Sequence, residues 1–250
     1  MSKIKTMEIN TSLIDAINYR RSVRIYDETK EIDAEIVKKC IDQATLSPSS
    51  SNMQLWEFHH IVSSKILNQL SIACLDQSAA KTAKQLVVIV VRKDLWKQRT
   101  KANAAYLKNS FGNKPESEYS SREQFALNYY QKLLPFIYAD FLGIFGAIKY
   151  IIGWVIGLFK PSYRQLSNAD MRIVAHKSAG LAAQTFMLSM AAKNYDTCPM
   201  EGIDTLRIKK ILNLPTSSEI NMVISCGIRK PEGVYGDRFR IPFESVYKQW

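Results

Sequence analysis

The feature that most limits the possible folds of this chain is a run of seven residues, Gln85–Val91, with the sequence QLVVIVV. After Gln85 every residue is apolar and most are β-branched, so the polar alternation of a half-buried strand is missing. A short, unbroken run of this kind predicts a strand that is covered on both faces. We therefore expect it in the centre of a sheet that has helices on either side.

The rest of the chain alternates between helical and strand-like patterns. Further strands are predicted at 56–62 and 220–227, and helices at 11–19, 33–46, 66–73, 170–193 and 203–212. This interleaving predicts a layered α/β or α+β fold, and 250 residues suit a single domain. Small residues recur along 170–193, which suggests close approach of another helix and a place at the centre of a dimer. They are Ala175, Ser178, Ala179, Ala182 and Ala183.

Composition narrows the functional classes. A net charge of +11 fits nucleic acid, an acidic membrane or an anionic cofactor as partner, and clustering of the charges favours the cofactor. The four cysteines are far apart and only three histidines are present, so neither a zinc site nor a disulfide framework is indicated. No GxGxxG motif indicates a Rossmann dinucleotide fold. The first residues show no signal-peptide pattern, and we expect a cytoplasmic protein.

Two short basic clusters lie near opposite ends of the chain. Their members are Arg20, Arg21, Ser22 and Arg24 in the first, and Arg238 and Arg240 in the second. Guanidinium groups present forked donors that match phosphate oxygens. In an extended segment Arg238 and Arg240 would point to the same side, where both can reach one anion. Taken singly, each cluster is also compatible with a solvated basic turn.

Two further segments are rich in turn-forming residues. The first is a polar loop that contains Pro48, Ser49, Ser50, Asn52 and Gln54, and the second is a turn that contains Pro199, Met200, Glu201 and Gly202. The loop offers hydroxyl and amide groups suited to the polar edge of a heterocycle. Gly202 allows a ligand to approach the backbone closely. An ordinary serine-rich loop and a plain helix-entry turn would have similar sequences.

These four segments, in this order, resemble the nitroreductase family of flavoproteins. The resemblance covers about residues 13–91 and 170–246 and leaves an insertion at about 95–168. It implies an α/β (α+β) fold with a central mixed sheet flanked by helices, in a domain-swapped type of homodimer. It also implies FMN as cofactor and NADH or NADPH as electron donor, with nitroaromatic, quinone or similar conjugated acceptors reduced by a ping-pong mechanism.

The resemblance also implies roles for particular residues. The two basic clusters would hold the FMN phosphate, and the 48–54 loop would border the flavin of the partner subunit. This chain has Leu55 where the family usually has proline. Backbone N–H groups around Glu201 and Gly202 would face the flavin N5. A polar side chain near Lys81 or Lys84 would contact the flavin ring, and no side chain is required as nucleophile or general base.

Other functions stay open at this point. One is a non-catalytic FMN-binding or membrane-associated module, and another is a specialised family branch that dehalogenates or modifies flavin. The histidines His59, His60 and His176 are interpreted as structural, because their spacing is not that of a metal site.

The segment 135–159 is far more apolar than the rest, with Asp140 and Lys149 as its only charged residues. It is long enough to span a bilayer by the usual rule of roughly 20 residues, but Lys149 lies near its centre. Three interpretations compete: a lid or dimer-wrapping insertion that walls the flavin pocket, an interfacial membrane-docking patch, and a true transmembrane span.

Overall fold

The computed structural model describes residues 12–112, 114–139 and 144–250. The strands are β1 (Trp56–Ile61), β2 (Gln85–Val91), β3 (Asp196–Met200) and β4 (Glu219–Gly227). The helices are α1 (Leu13–Tyr19), α2 (Ala34–Thr45), α3 (Ser64–Ala73), α4 (Ser78–Lys81), α5 (Trp96–Ser110), α6 (Ser121–Asn128), α7 (Leu134–Tyr138), α8 (Ile144–Phe159), α9 (Asn168–Ala191), α10 (Thr205–Ile211) and α11 (Phe243–Val246). A π-helical turn, Tyr129–Leu133, joins α6 to α7.

The four strands form one sheet in the order β1-β2-β4-β3. β2 lies inside the sheet with all seven residues buried, which confirms the prediction of a central strand covered on both faces. Alternate residues of β2 enter two hydrophobic clusters. Val87, Ile89 and Val91 pack with residues of α2 and α9, whereas Leu86, Val88 and Val90 pack with residues of α3, α4 and α10. The sheet therefore lies between two helical layers, as the predicted α/β class requires.

The strand pairings are antiparallel, and in the described part of the chain the one parallel pairing is an isolated bridge from Ser22 to Thr197. The parallel component of the predicted mixed sheet is thus confined to that bridge.

β3 is a second difference from the sequence prediction, which placed a turn at Pro199. Proline lacks an N–H donor and fits only at a sheet edge, and β3 is the last strand in the order.

The long helix α9 packs on the sheet and on α2 of the same chain. Its small residues Ala175, Ala179, Ala182 and Ala183 are buried there, together with Val37 and Cys40 of α2. The close packing that their small size permits is therefore made with α2 and the sheet of the same chain. These residues give no separate indication of a dimer contact.

The predicted insertion at 95–168 forms α5 to α8 and the connections between them; residue 113 and residues 140–143, which include Asp140, lie outside the described residues. α8 carries most of the apolar 135–159 segment and is 16 residues long. Within the described ranges no helix combines the length and the apolar content needed to cross a membrane.

Candidate functional site

The first basic cluster follows α1. The hydroxyl of Ser12 caps this helix by accepting the N–H of Asp15 at 3.2 Å, and the helix ends at Tyr19. The chain then runs alongside β3, where the N–H of Val23 donates to the carbonyl of Thr197 at 3.1 Å. Val23 is fully buried. In extended backbone its neighbours Ser22 and Arg24 consequently point away from the core.

The C-terminal segment crosses directly over this cluster. The N–H of Arg24 donates to the carbonyl of Gly233 at 2.6 Å, and the Arg21 guanidinium donates to the carbonyl of Gly236 at 2.8 Å. Arg238 donates to the carbonyl of Arg20 at 2.6 Å. Segments more than 200 residues apart are thus joined by direct hydrogen bonds.

Between these segments lies a pocket of about 260 Å³. It is lined by Arg20, Arg21, Ser22, Arg24, Val234, Tyr235, Asp237, Arg238, Phe239 and Arg240. The lining thus contains five arginines and one acidic residue, Asp237. Burial lowers the pKa of Arg20, and the nearby charges of Arg238 and Arg240 lower it further. Concentrated positive charge of this kind attracts an anion.

An ion pair that the sequence did not reveal lies beside this pocket, between β3 and the end of α1. Asp196, at the start of β3, is nearly inaccessible to solvent, and its carboxylate accepts the Arg229 Nε–H at 2.8 Å and the Arg229 backbone N–H at 2.7 Å. The same guanidinium lies 4.3 Å from the ring centre of Tyr19 and donates to the Tyr19 carbonyl at 3.0 Å. Arg20 directly follows Tyr19, so the ion pair ties the start of the first basic cluster to β3.

The 48–54 loop has an unusual backbone. Ser51, Asn52 and Gln54 have φ values of 52°, 50° and 47°, in the left-handed region that residues other than glycine and asparagine seldom adopt. Side chains hold this conformation: the Ser49 hydroxyl accepts the N–H of Gln54 at 3.1 Å, and Asn52 donates to Asn103 at 3.0 Å. Pro48 and Ser50 complete the loop, and the Ser50 N–H donates to the Ser178 hydroxyl at 3.3 Å. Left-handed residues held by their surroundings cluster at ligand sites.

Within one chain this loop does not meet the arginine pocket. The loop leads into β1 at one edge of the sheet, whereas the pocket adjoins β3 at the opposite edge. Three strand spacings, about 14 Å, separate these edges.

The 199–202 segment lies at the edge of the sheet that adjoins the pocket. Pro199 and Met200 end β3, and Glu201 and Gly202 follow as exposed residues. Burial raises the pKa of Cys198, and the nearby charges of Arg24 and Arg20 oppose this rise. The Gly202 carbonyl accepts the Gln77 side-chain N–H at 2.9 Å. A Cβ on Gly202 would meet no atom within 4 Å, so the fold itself does not require glycine there.

The remaining polar candidates have partners within the fold. Lys81 pairs with Asp76 at 3.4 Å and Lys84 with Glu31 at 2.5 Å, so both lysines have partners away from the pocket. His176 contacts Glu219 at 3.2 Å. The four cysteines are free and buried, and burial raises the pKa of Cys40 and Cys74 to about 11. Among the described residues no group of side chains could hold a metal ion.

Fold and pocket together define a class: a layered α/β protein with a cationic pocket built from segments near both ends of the chain. The chain belongs to the nitroreductase family, whose sequence profile matches residues 17–228.

Individual relatives agree with this assignment. The chain is 27% identical to protein DrgA of Synechocystis sp. over 86% of its length and 83% of the relative. It is 23% identical to MhqN of Bacillus subtilis, provisionally named an NAD(P)H nitroreductase, over 90% of this chain and 93% of that protein. A solved Exiguobacterium sibiricum structure, provisionally described as a nitroreductase in complex with FMN, matches with a TM-score of 0.68 and 20% identity. That match covers 96% of this chain and 98% of the other.

Proposed function

We propose that this protein is an FMN-dependent oxidoreductase that uses NADH or NADPH to reduce small conjugated acceptors, with nitroaromatics and quinones as the expected classes. The observation that carries the proposal is the convergence of Arg20, Arg21, Arg24, Arg238 and Arg240 on one pocket. Relatives whose names refer to NAD(P)H and FMN support the same chemistry.

The donor set fits a phosphate monoester. Such a group carries a charge of about −1.5 to −2 at neutral pH and three acceptor oxygens. Arg20, Arg24 and Arg240 would supply forked donors, and Ser22 would add a hydroxyl. Arg238, Arg21 and Arg240 also hydrogen-bond to backbone carbonyls, so they would position the pocket wall as well as contribute charge.

When bound, FMN supplies the redox chemistry, because its ring can accept a hydride from a nicotinamide and pass electrons to an acceptor. The protein must then bind, orient and shield this ring. Gly202 lies at the sheet edge that adjoins the pocket, with open space where a Cβ would be, so a planar ligand could approach its backbone from that side. No side-chain nucleophile is needed, in agreement with the structural contacts of His176.

The position of the 48–54 loop leads us to propose a homodimer. A flavin anchored in the arginine pocket of one chain would be bordered by Asn52 and Gln54 of a second chain, since the loop of the same chain lies at the opposite sheet edge. The strained backbone of Ser51, Asn52 and Gln54 would then be the feature that presents these polar groups to a neighbour.

The direct test is spectroscopic. We expect the purified protein to bind FMN, to lose its visible flavin absorption when NADPH or NADH is added without oxygen, and to regain it when menadione or nitrofurazone follows. Light scattering should give the mass of two chains. A protein that binds FMN but is not bleached by either nucleotide would instead support the non-catalytic flavin-binding module. Failure to bind FMN would contradict the proposal itself.

Two glycines provide a matched test of the site. Gly202→Ala places a methyl group in open space, so we expect an unchanged free energy of unfolding but slower reduction of the bound flavin by NADPH. Gly233→Ala places a methyl group 2.2 Å from the carbonyl oxygen of Ile25, and we expect a loss of about 1–3 kcal/mol in stability. Chemical denaturation and stopped-flow absorbance would measure the two effects. Equal destabilisation by both substitutions would argue against a ligand role for Gly202.

A further inference from the structure

The amphipathicity of α8 is inverted. The helix faces the protein with Gly146, Lys149 and Gly153, all buried, and faces outward with its large apolar residues. The outward set, here called the α8 outer face, is Ile144, Phe145, Ile148, Ile151, Ile152, Val155, Ile156, Leu158 and Phe159, each at least 38% exposed. A surface helix of a globular protein has the opposite arrangement.

The single charged residue of α8 points inward. The Lys149 ammonium donates to the carbonyls of Ile137 and Ala139, each at 2.7 Å, at the end of α7. The exposed side of α8 therefore carries no charge. Lysine usually extends its ammonium into water, so its withdrawal leaves an uninterrupted apolar surface.

The shape of this surface favours a fluid partner over a rigid one. At 3.6 residues per turn, the α8 outer face covers roughly 160° of the helix circumference, and roughly 240° together with the exposed Tyr150 and Trp154. A flat protein surface could cover only part of that arc, and a protein interface also needs polar partners at its rim. Lipid acyl chains surround a helix and require no hydrogen bonds.

Polar and basic groups lie at the margins of the apolar face. Tyr150 and Trp154 flank it, and the Arg164 guanidinium lies 4.8 Å from the Trp154 ring centre while donating to the Gly157 carbonyl at 2.5 Å. Lys160 follows the helix directly and is exposed. Amphipathic aromatic residues and basic side chains are typical of helices that lie in a membrane interface. The net charge of +11 would strengthen attraction to anionic headgroups.

We propose that α8 docks the protein onto an anionic lipid bilayer, with the helix axis parallel to the membrane plane. Its 16 residues, about 24 Å in length, would immerse the α8 outer face in the headgroup and acyl boundary, with Lys160 and Arg164 against acidic headgroups. The proposal does not depend on the redox function.

Vesicle flotation of the flavin-loaded protein tests this directly. We expect it to float with phosphatidylcholine vesicles that contain phosphatidylglycerol, and less with phosphatidylcholine alone or at high salt. The triple variant Ile148→Glu, Ile151→Glu, Val155→Glu should bind at least about tenfold more weakly. The control, Val62→Glu, Ile72→Glu, Leu206→Glu, changes three equally exposed apolar residues elsewhere and should float like the wild type.

Several outcomes would overturn the proposal. Wild-type protein that stays unbound, or an α8 variant that floats as well as the control, would remove lipid as the occupant. A lower molecular mass for the α8 variant in lipid-free buffer, with no wild-type flotation, would identify a second copy of the chain as the partner. Flavin absorption measured without lipid reports separately on the redox function.

A second measurement needs no change to the apolar face. Brominated lipids should quench the fluorescence of Trp154, which is 46% exposed on α8. Trp154→Phe should abolish most of this quenching, whereas Trp250→Phe, at the exposed C-terminus, should retain it. Quenching that is the same in both variants would contradict docking through α8.

Discussion

Replacing Arg20 with glutamine should weaken FMN binding by about 10- to 100-fold, because a hydrogen bond between charged groups contributes about 1.5–3 kcal/mol. The loss should appear as a higher dissociation constant in a fluorescence titration with FMN. Binding of free riboflavin, which lacks the phosphate, should change much less. This difference separates a phosphate-binding role from general damage to the site.

The same substitution should leave the apoprotein as stable as before, or slightly more so. The pKa of Arg20 is lowered by burial and by the charges of Arg238 and Arg240, so the folded apoprotein holds this guanidinium against repulsion. Removing the charge relieves that repulsion, and we expect a change within about 0.5 kcal/mol in the unfolding free energy. Arg122→Gln, at an exposed position on α6, is the charge-matched control and should affect neither quantity. Undiminished FMN affinity in Arg20→Gln would refute the phosphate site.

Strong local patterns made much of the fold predictable. The β-branched run of β2 identified the central strand, and the helix predicted at 33–46 forms as α2, capped by Asp33, whose carboxylate accepts the N–H of Glu35 at 2.8 Å. β3 escaped prediction because it is short and contains Pro199, which is unfavourable inside a sheet but tolerated at its edge. Sequence spacing carries no information on which strand becomes the edge.

Only part of the candidate site, likewise, could be predicted from the sequence. Residue type identified the arginines at both ends of the chain, since few other side chains match phosphate so well. Their convergence was an expectation from family resemblance, and the pocket shows the distant segments in contact. Asp196 and Arg229 could not be found from sequence, because 33 residues separate an ordinary acidic residue from an ordinary basic one. The inward turn of Lys149 likewise depends on where α7 ends.

The Asp196–Arg229 pair leads to the largest stability effect that we expect. Asp196→Asn retains the side-chain size but removes the charge that compensates a partly buried guanidinium. Breaking one partner of a buried ion pair costs about 3–5 kcal/mol, and because Arg229 keeps some solvent access we expect about 3 kcal/mol. For a chain of this size the melting temperature should fall by roughly 6–12 °C.

The control for this substitution is Asp76→Asn, which removes an acid from the exposed pair with Lys81. Exposed pairs contribute about 0–1 kcal/mol, so the melting temperature should change little. Asp196→Asn should in addition weaken FMN binding at temperatures where the protein is still folded, because Arg229 anchors the Tyr19 carbonyl directly before Arg20. If stability falls but FMN affinity is unchanged, then the ion pair supports the sheet alone and the pocket is positioned chiefly by the hydrogen bonds of Arg238 to the end of α1.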